Sequence, residues 1–153
     1  MNEKWRSILR TGLIYLFVIV ATLVVHSGYQ QMRTQNYIDR FEEEKGMKIL
    51  DEISDTYKIT VENYSNYKLS REMKQRLIGK LNKLSHDLRR VEESIHSEDV
   101  VHRIDFSFIY HDIKLVKLAL SDSTKDDIVP VIVLHAIEGL GDLKKEITYI
   151  RYR

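Results

Sequence analysis

An uninterrupted apolar stretch near the N-terminus is the most distinctive pattern of hydrophobic and polar positions along the chain. It runs from Thr11 to Val25, reads TGLIYLFVIVATLVV and contains no charged residue. With apolar flanks from Ile8 to Tyr29 the segment is about 22 residues long, close to the length that a helix needs to cross a bilayer. Because the stretch is apolar on every face, a core helix with one side toward solvent is disfavoured. The pattern predicts a membrane-spanning helix over residues 11–29.

The residues on either side of this stretch suit a membrane interface. Trp5 precedes it and Tyr29 follows it, and aromatic side chains are enriched at both bilayer surfaces. The stem of Arg10 can stay in the apolar zone while its guanidinium reaches the headgroups. The sequence therefore divides into a short basic tail (1–10), the span acting as a signal anchor, and a helical domain (30–153).

The distribution of basic residues predicts how the span is oriented. Three of them precede it, at positions 4, 6 and 10, whereas the first two after it are Arg33 and Arg40. Because Lys and Arg accumulate on the cytoplasmic side, we expect the N-terminus in the cytoplasm and the domain outside the cell membrane. The alternative is a cleaved signal peptide with a cut near Gly28, although the apolar run is long for one and lacks an Ala-x-Ala site.

The polar domain has few residues that interrupt helices. The chain contains one proline and six glycines, with neither type between Lys80 and Val129, and this scarcity predicts long helices. The cleanest stripe has apolar residues three or four apart, which places them on one helical face. Its members are Met73, Leu77, Leu81, Leu84, Leu88, Val91 and Ile95. Ser70 is the expected N-cap of this helix.

Three further helices complete the prediction. Residues 30–67 are expected to form a long first helix with Gly46 as a weak point. The 97–99 region is expected to cap a third helix, with continuation of the second helix as the alternative. The wide apolar cover of this third helix predicts burial between neighbours. A fourth is expected from Asp127, with Pro130 in its first turn. The predicted fold class is all-α, with one N-terminal transmembrane helix followed by an antiparallel bundle of about four helices with a long first helix.

Two segments also fit a strand pattern. Tyr57, Ile59 and Val61 alternate with polar residues, and the run from 128 to 133 is rich in β-branched residues. Helical spacing works equally well through the first segment and extends further, so helix is preferred there. The sequence leaves a strand open at both 57–62 and 128–134.

The second helix of this bundle carries a concentration of positive charge. Between Lys68 and Arg90 there are eight basic residues and two acidic ones, whereas the neighbouring segments are net acidic. Four basic residues form a stripe beside the apolar seam: Arg76, Lys80, Lys83 and Arg90. One interpretation is that the helices complement one another's charge across the bundle. The other is a face that binds lipid headgroups, an anionic wall polymer or an acidic partner.

Aromatic and basic residues are mixed at the C-terminus. They are Tyr149, Arg151, Tyr152 and Arg153. If the bundle runs up-down-up-down, its last helix returns toward the membrane, where this composition suits the headgroup layer. The alternative is a frayed polar terminus.

Six histidines raise the question of a metal site. Glu93 and His96 form a Glu-x-x-His pair followed by His102, and His135 with Glu138 forms a second pair in reverse order. Di-iron bundles use two Glu-x-x-His motifs plus two further inward-facing glutamates, and this sequence has only one motif in the required order. We therefore expect surface or capping histidines, with no metal and no cofactor.

Nothing in the sequence specifies a reaction. It has no cysteine, no phosphate-binding glycine loop and no nucleophile elbow, and a net charge of +1 gives no reason to expect nucleic acid as a partner. The leading hypothesis is a non-enzymatic protein, anchored in the lipid bilayer, that binds another membrane or envelope protein, with a homo-oligomer as a variant. The alternatives are ligand or anion sensing by the basic second helix and a metal–carboxylate oxidoreductase.

Overall fold

A computed structural model describes residues 3–66, 69–96, 100, 103–121 and 128–152, with the backbone alone for 3–7 and 65–66. Over these ranges the chain forms five helices and no strand, which confirms the all-α prediction. The helices are α1 (Glu3–Glu43), α2 (Gly46–Asn66), α3 (Arg71–Ile95), α4 (Ser107–Ser121) and α5 (Val129–Tyr152). Both segments that left a strand open are helical, apart from Ile128, which lies in a turn.

The apolar half of α1 projects away from the rest of the protein. From Ile8 to Val25 nearly every side chain is exposed, including Phe17 and Leu23. A continuous apolar surface of this size is unfavourable in water. By length and composition, α1 is the one helix among the described residues that could cross a membrane, as the sequence predicts.

The prediction of one continuous helix over 30–67 is wrong in its boundaries. The apolar helix instead continues without interruption to Glu43, and α2 begins at Gly46. Between them Lys45 has a φ of 63°, a left-handed conformation typical of a helix C-terminus. Gly46 lies against the ring of Phe41, where a Cβ atom would overlap the aromatic carbons. The long helix therefore contains the predicted span, and Gly46 marks a complete break.

Helices α2 to α5 form the bundle. Helix α2 packs against α3 and α5, and α4 packs against the same two, so α2 and α4 lie on one diagonal and α3 and α5 on the other. The predicted stripe of α3 lines the core: all its members are buried except Met73, which is half-buried. The predicted N-cap is also confirmed, because the Ser70 hydroxyl oxygen accepts a hydrogen bond from the Met73 N–H at 3.2 Å.

The prediction for the third helix differs from the structure in two respects. The observed helix begins later than predicted, and one of its sides is exposed. Helix α4 begins at Ser107, and the preceding residues 103–106 are not helical. Hydrogen bonds from Ser107 to the Asp105 carboxylate lower the pKa of Asp105. Leu115 and Leu118 face solvent, the latter 52% exposed, so α4 has one exposed side. The predicted caps at 97–99 and Asp127 lie outside the described residues.

The last turns of α1 are part of the core. Tyr37, Ile38 and Phe41 are buried, and the Phe41 ring stacks on Phe106 with 5.7 Å between ring centroids. The Tyr37 hydroxyl oxygen accepts a hydrogen bond from the Ile104 N–H at 3.1 Å. These contacts fix the non-helical segment before α4 against α1, so the apolar helix and the bundle are joined through a shared core.

Two glycine substitutions test the break between α1 and α2. Gly46→Ala should lower the free energy of unfolding by about 1–3 kcal/mol, because the added methyl group must displace the buried Phe41 ring. Gly79→Ala, in the exposed middle of α3 with open space around its Cα, should raise it by about 0.5–1 kcal/mol. Urea unfolding of the full chain in mild detergent measures both. Equal effects of the two substitutions would show that Phe41 does not fill this space.

Candidate functional site

A groove runs between α3 and the start of α2, and we call it the α2–α3 groove. It encloses about 770 Å³ and extends along α3 from Lys80 to Ser94. Its basic residues are Lys45, Lys48, Lys80, Lys83 and Arg90, and its acidic residues are Glu43, Glu44, Glu52 and Asp87. The structure thus brings three of the four predicted basic residues into one groove. Arg76 is exposed one turn before Lys80, outside the groove lining.

The charges of this groove agree in part with each of the two interpretations of the basic stripe, charge complementarity between helices and a binding face. Five Lys or Arg side chains stand beside four carboxylates, so the net charge of the lining is nearly balanced. Over the described ranges, however, none of the four predicted basic residues has a carboxylate oxygen within 4 Å. The carboxylates of the groove nearly balance the positive charge of its basic side chains. The N–H donors of the predicted basic residues nevertheless stay available to a partner.

The predicted interfacial residues whose side chains the structure describes are all exposed. Tyr149 and Tyr152 are 62% and 80% exposed on the last turns of α5. The Arg151 guanidinium makes a bidentate ion pair with Glu42, at 2.8 and 3.0 Å, and so ties α5 to α1. Tyr29 is also exposed, and so is Arg10 in the apolar half of α1. The Trp5 side chain and Arg153 lie outside the described residues.

Sequence reasoning missed a second concave site, which we call the α1–α5 cavity. It has a volume of about 570 Å³ and lies between α1, just beyond the apolar stretch, and the last turns of α5. Most of its lining residues are of polar type, although apolar atoms make up slightly more than half of the lined surface. They are Ser27, Gln30, Gln31, Thr34, Gln35, Arg103, Glu146, Tyr149, Ile150 and Arg151. The only local signal is the run of polar side chains that follows the apolar stretch. Which of them face α5 depends on the packing of two helices distant in sequence.

The polar groups of this cavity leave hydrogen-bonding capacity unused. The Gln30 Oε1 atom is buried without a hydrogen-bond partner among the described residues. Glu146 has no ion pair over the same ranges, and Arg103 contributes a positive charge to the lining. Thr34 already donates to the Gln30 carbonyl oxygen at 3.0 Å. The cavity can therefore accept hydrogen bonds and also attract a negative group.

A buried carboxylate lies in the core between α4 and α5. Asp112 is 8% exposed, and a Cβ atom added at Gly139 would lie 3.2 Å from its Oδ2. The Nδ1 atom of His111 is 3.7 Å from Asp112 Oδ1, too far for a hydrogen bond. Burial, and then the charge of Asp112, raise the pKa of Tyr57 on α2. The adjacent histidine is largely exposed, so the buried carboxylate does not orient its imidazole through a hydrogen bond.

The weak metal candidates are not brought together. Glu93 on α3 and His96 at its C-cap are exposed, whereas His135 and Glu138 are exposed on α5, which lies diagonally across the bundle from α3. His102 lies outside the described residues. Over the ranges that the structure describes, no three His, Asp or Glu side chains are grouped so that they could hold a metal ion.

The two concave sites differ in what they can bind. The α2–α3 groove presents charges of both signs over several helical turns, whereas the α1–α5 cavity is compact and rich in amide groups. Comparison with protein-family models, with curated proteins and with solved structures finds no match for this chain. The proposals below rest on the geometry of these two sites.

Two buried tyrosines provide a matched test of the polar contacts in the core. Tyr37→Phe should lower the free energy of unfolding by about 1–3 kcal/mol, because the buried Ile104 N–H loses its acceptor. Tyr57→Phe should change it by less than about 0.5 kcal/mol or raise it, because the Tyr57 hydroxyl has no partner among the described residues. Urea unfolding of both full-length variants gives the comparison. A larger loss for Tyr57→Phe than for Tyr37→Phe would contradict this assignment of partners.

Proposed function

We propose that this chain is a non-enzymatic, single-pass membrane protein whose helical bundle binds another protein through the α2–α3 groove. The observation that carries the proposal is the set of exposed basic side chains on α3 that have no carboxylate within ion-pair distance among the described residues. They stand on a bundle that continues directly into a helix apolar enough to cross a bilayer. A binding surface held at the membrane in this way suits a scaffold or accessory protein.

The length and charge of the groove favour a protein segment over a small anion. Its lining on α3 runs from Lys80 to Ser94, which corresponds to about 21 Å at 1.5 Å per residue. A helix or extended peptide can contact the whole of that length, whereas a phosphate or sulfate would contact one turn. The four carboxylates in the lining also repel a simple anion, while a partner with both signs of charge can match the pattern.

The orientation follows from the basic residues around the apolar stretch. Three precede it within the first ten positions, and the next are Arg33 and Arg40. This asymmetry supports an N-terminus in the cytoplasm and a bundle outside the cell membrane. We therefore propose that the partner is another membrane or envelope protein, or a second copy of this chain.

Site-specific crosslinking in cells tests the groove. A photoreactive amino acid at Lys83 should give an adduct of defined mass, whereas the same residue at Lys114, exposed on α4 outside the groove, should not. Charge reversal by Lys80→Glu with Arg90→Glu should reduce the adduct at least fivefold, because rim charges set the rate of association. Arg76→Glu, outside the groove lining, serves as the matched control.

The mass of the adduct identifies the kind of partner. Twice the mass of the chain would show self-association, and another mass would show a different protein. The absence of any adduct at Lys83, or equal adducts at Lys83 and Lys114, would refute the groove as the binding surface.

The orientation has its own test, which uses the absence of native cysteine. A cysteine introduced at Ser121, exposed at the end of α4, should react with a membrane-impermeant maleimide in intact cells. A cysteine at Glu3, before the span, should react only after lysis. Labelling in the reverse order would place the bundle in the cytoplasm.

A further inference from the structure

We propose that the α1–α5 cavity binds the headgroup of a membrane lipid that carries both a phosphate and a primary ammonium group, as phosphatidylethanolamine does. The inference depends on the membrane anchoring proposed above but not on the protein partner. Three features carry it: the position of the cavity along α1, the buried unsatisfied acceptor and the exposed carboxylate without an ion pair in its lining, and the positive charge beside them.

The position of the cavity matches the headgroup layer. The apolar stretch ends at Val25, and the cavity lining on α1 begins at Ser27 and continues to Gln35. At 1.5 Å per residue, Ser27 lies about 3 Å and Gln30 about 7.5 Å beyond Val25 along the helix axis. Each polar layer of a bilayer is about 5–8 Å thick. The lower part of the cavity is therefore at the depth where lipid phosphates and ammonium groups lie.

Two acceptors in the lining favour an ammonium group. The buried Gln30 Oε1 atom has no donor, and the Glu146 carboxylate has no ion pair, over the ranges that the structure describes. Leaving a buried acceptor unsatisfied is costly, so a ligand that donates N–H groups gains from filling this position. A primary ammonium has three such donors, whereas a phosphate has none at neutral pH.

The remaining lining favours the phosphate of the same headgroup. Arg103 brings a guanidinium to the cavity, and the Gln31 and Gln35 side chains can donate amide N–H groups. The phosphate contact is assigned to Arg103 together with these amides, and Arg151 pairs with Glu42. The volume of about 570 Å³ is within the usual range for a small-ligand site. The acyl chains would lie against the exposed apolar surface of α1 below the cavity.

Phosphatidylcholine is the matched control ligand, because its trimethylated ammonium keeps the charge and the phosphate but has no N–H donor. The full chain is purified in detergent with equimolar phosphatidylethanolamine and phosphatidylcholine of identical acyl chains. Native mass spectrometry then counts the lipid retained. We expect phosphatidylethanolamine to be retained about tenfold over phosphatidylcholine, the scale of one or two charge-assisted hydrogen bonds.

Variants connect this preference to the cavity. Glu146→Gln and Gln30→Leu should each bring the ratio of the two lipids close to one. Glu138→Gln, exposed on the same helix outside the cavity lining, should leave the ratio unchanged. Retained helicity by circular dichroism excludes unfolding as the cause. Equal retention of both lipids by the unmodified chain, or an unchanged ratio in both cavity variants, would overturn the assignment.

Two further experiments distinguish a lipid from a soluble ligand, and a failure of the headgroup site from a failure of the membrane anchor. Displacement of the bound lipid by equimolar soluble phosphoethanolamine would overturn a lipid as the ligand, while retention of the lipid supports it. Incorporation of the chain into vesicles of phosphatidylcholine alone tests the anchor by itself. A chain that incorporates but shows no lipid preference would refute only the headgroup site. Failure to incorporate would refute the anchor, and the headgroup site with it.

Discussion

The packing of Phe41 at the end of α1 is the contact on which the arrangement of the chain depends. Its ring occupies the space beside Gly46 and stacks on Phe106, so α1 ends where the bundle begins and α2 starts in a new direction. Helix α1 is continuous from the apolar stretch to this point. The bundle is therefore attached to the candidate span through its own core, with no linker between them. A surface on the bundle then has a fixed position relative to the end of the apolar stretch.

Some charged residues of this protein form ion pairs between helices, and others have no ion pair and can contact a partner. Arg151 pairs with Glu42, and Lys144 donates to Asp51 at 2.6 Å, so α5 is tied to α1 and to the start of α2. The basic side chains of the α2–α3 groove have no such partners among the described residues, although acidic side chains line the same groove. Exposed pairs of this kind contribute little to stability. Leaving them unpaired costs the fold little and preserves a surface of mixed charge for a partner.

Polar groups in the core follow the same division. The buried hydroxyls of Thr56 and Thr60 donate to carbonyl oxygens one turn earlier, and Tyr37 accepts from a backbone N–H. Tyr57 and Asp112 lack comparable hydrogen bonds over the described ranges, although both are buried. The satisfied groups fix local geometry, whereas the carboxylate of Asp112 between α4 and α5 has no evident structural role.

The sequence by itself determined the features that depend on neighbouring residues. The apolar stretch, the stripe of α3 and the Ser70 cap arise from spacings of a few residues, because helical periodicity and capping are local.

Tertiary structure decided the remaining features. Ile104 and Phe106 fit a helical pattern, yet they lie in a non-helical segment, where they contact Tyr37 and Phe41 of α1. The α1–α5 cavity and the pair of Arg151 with Glu42, 109 positions apart, exist only because α5 returns alongside α1. No local pattern encodes contacts between helices so distant in sequence, and the packing of the whole core brings them together.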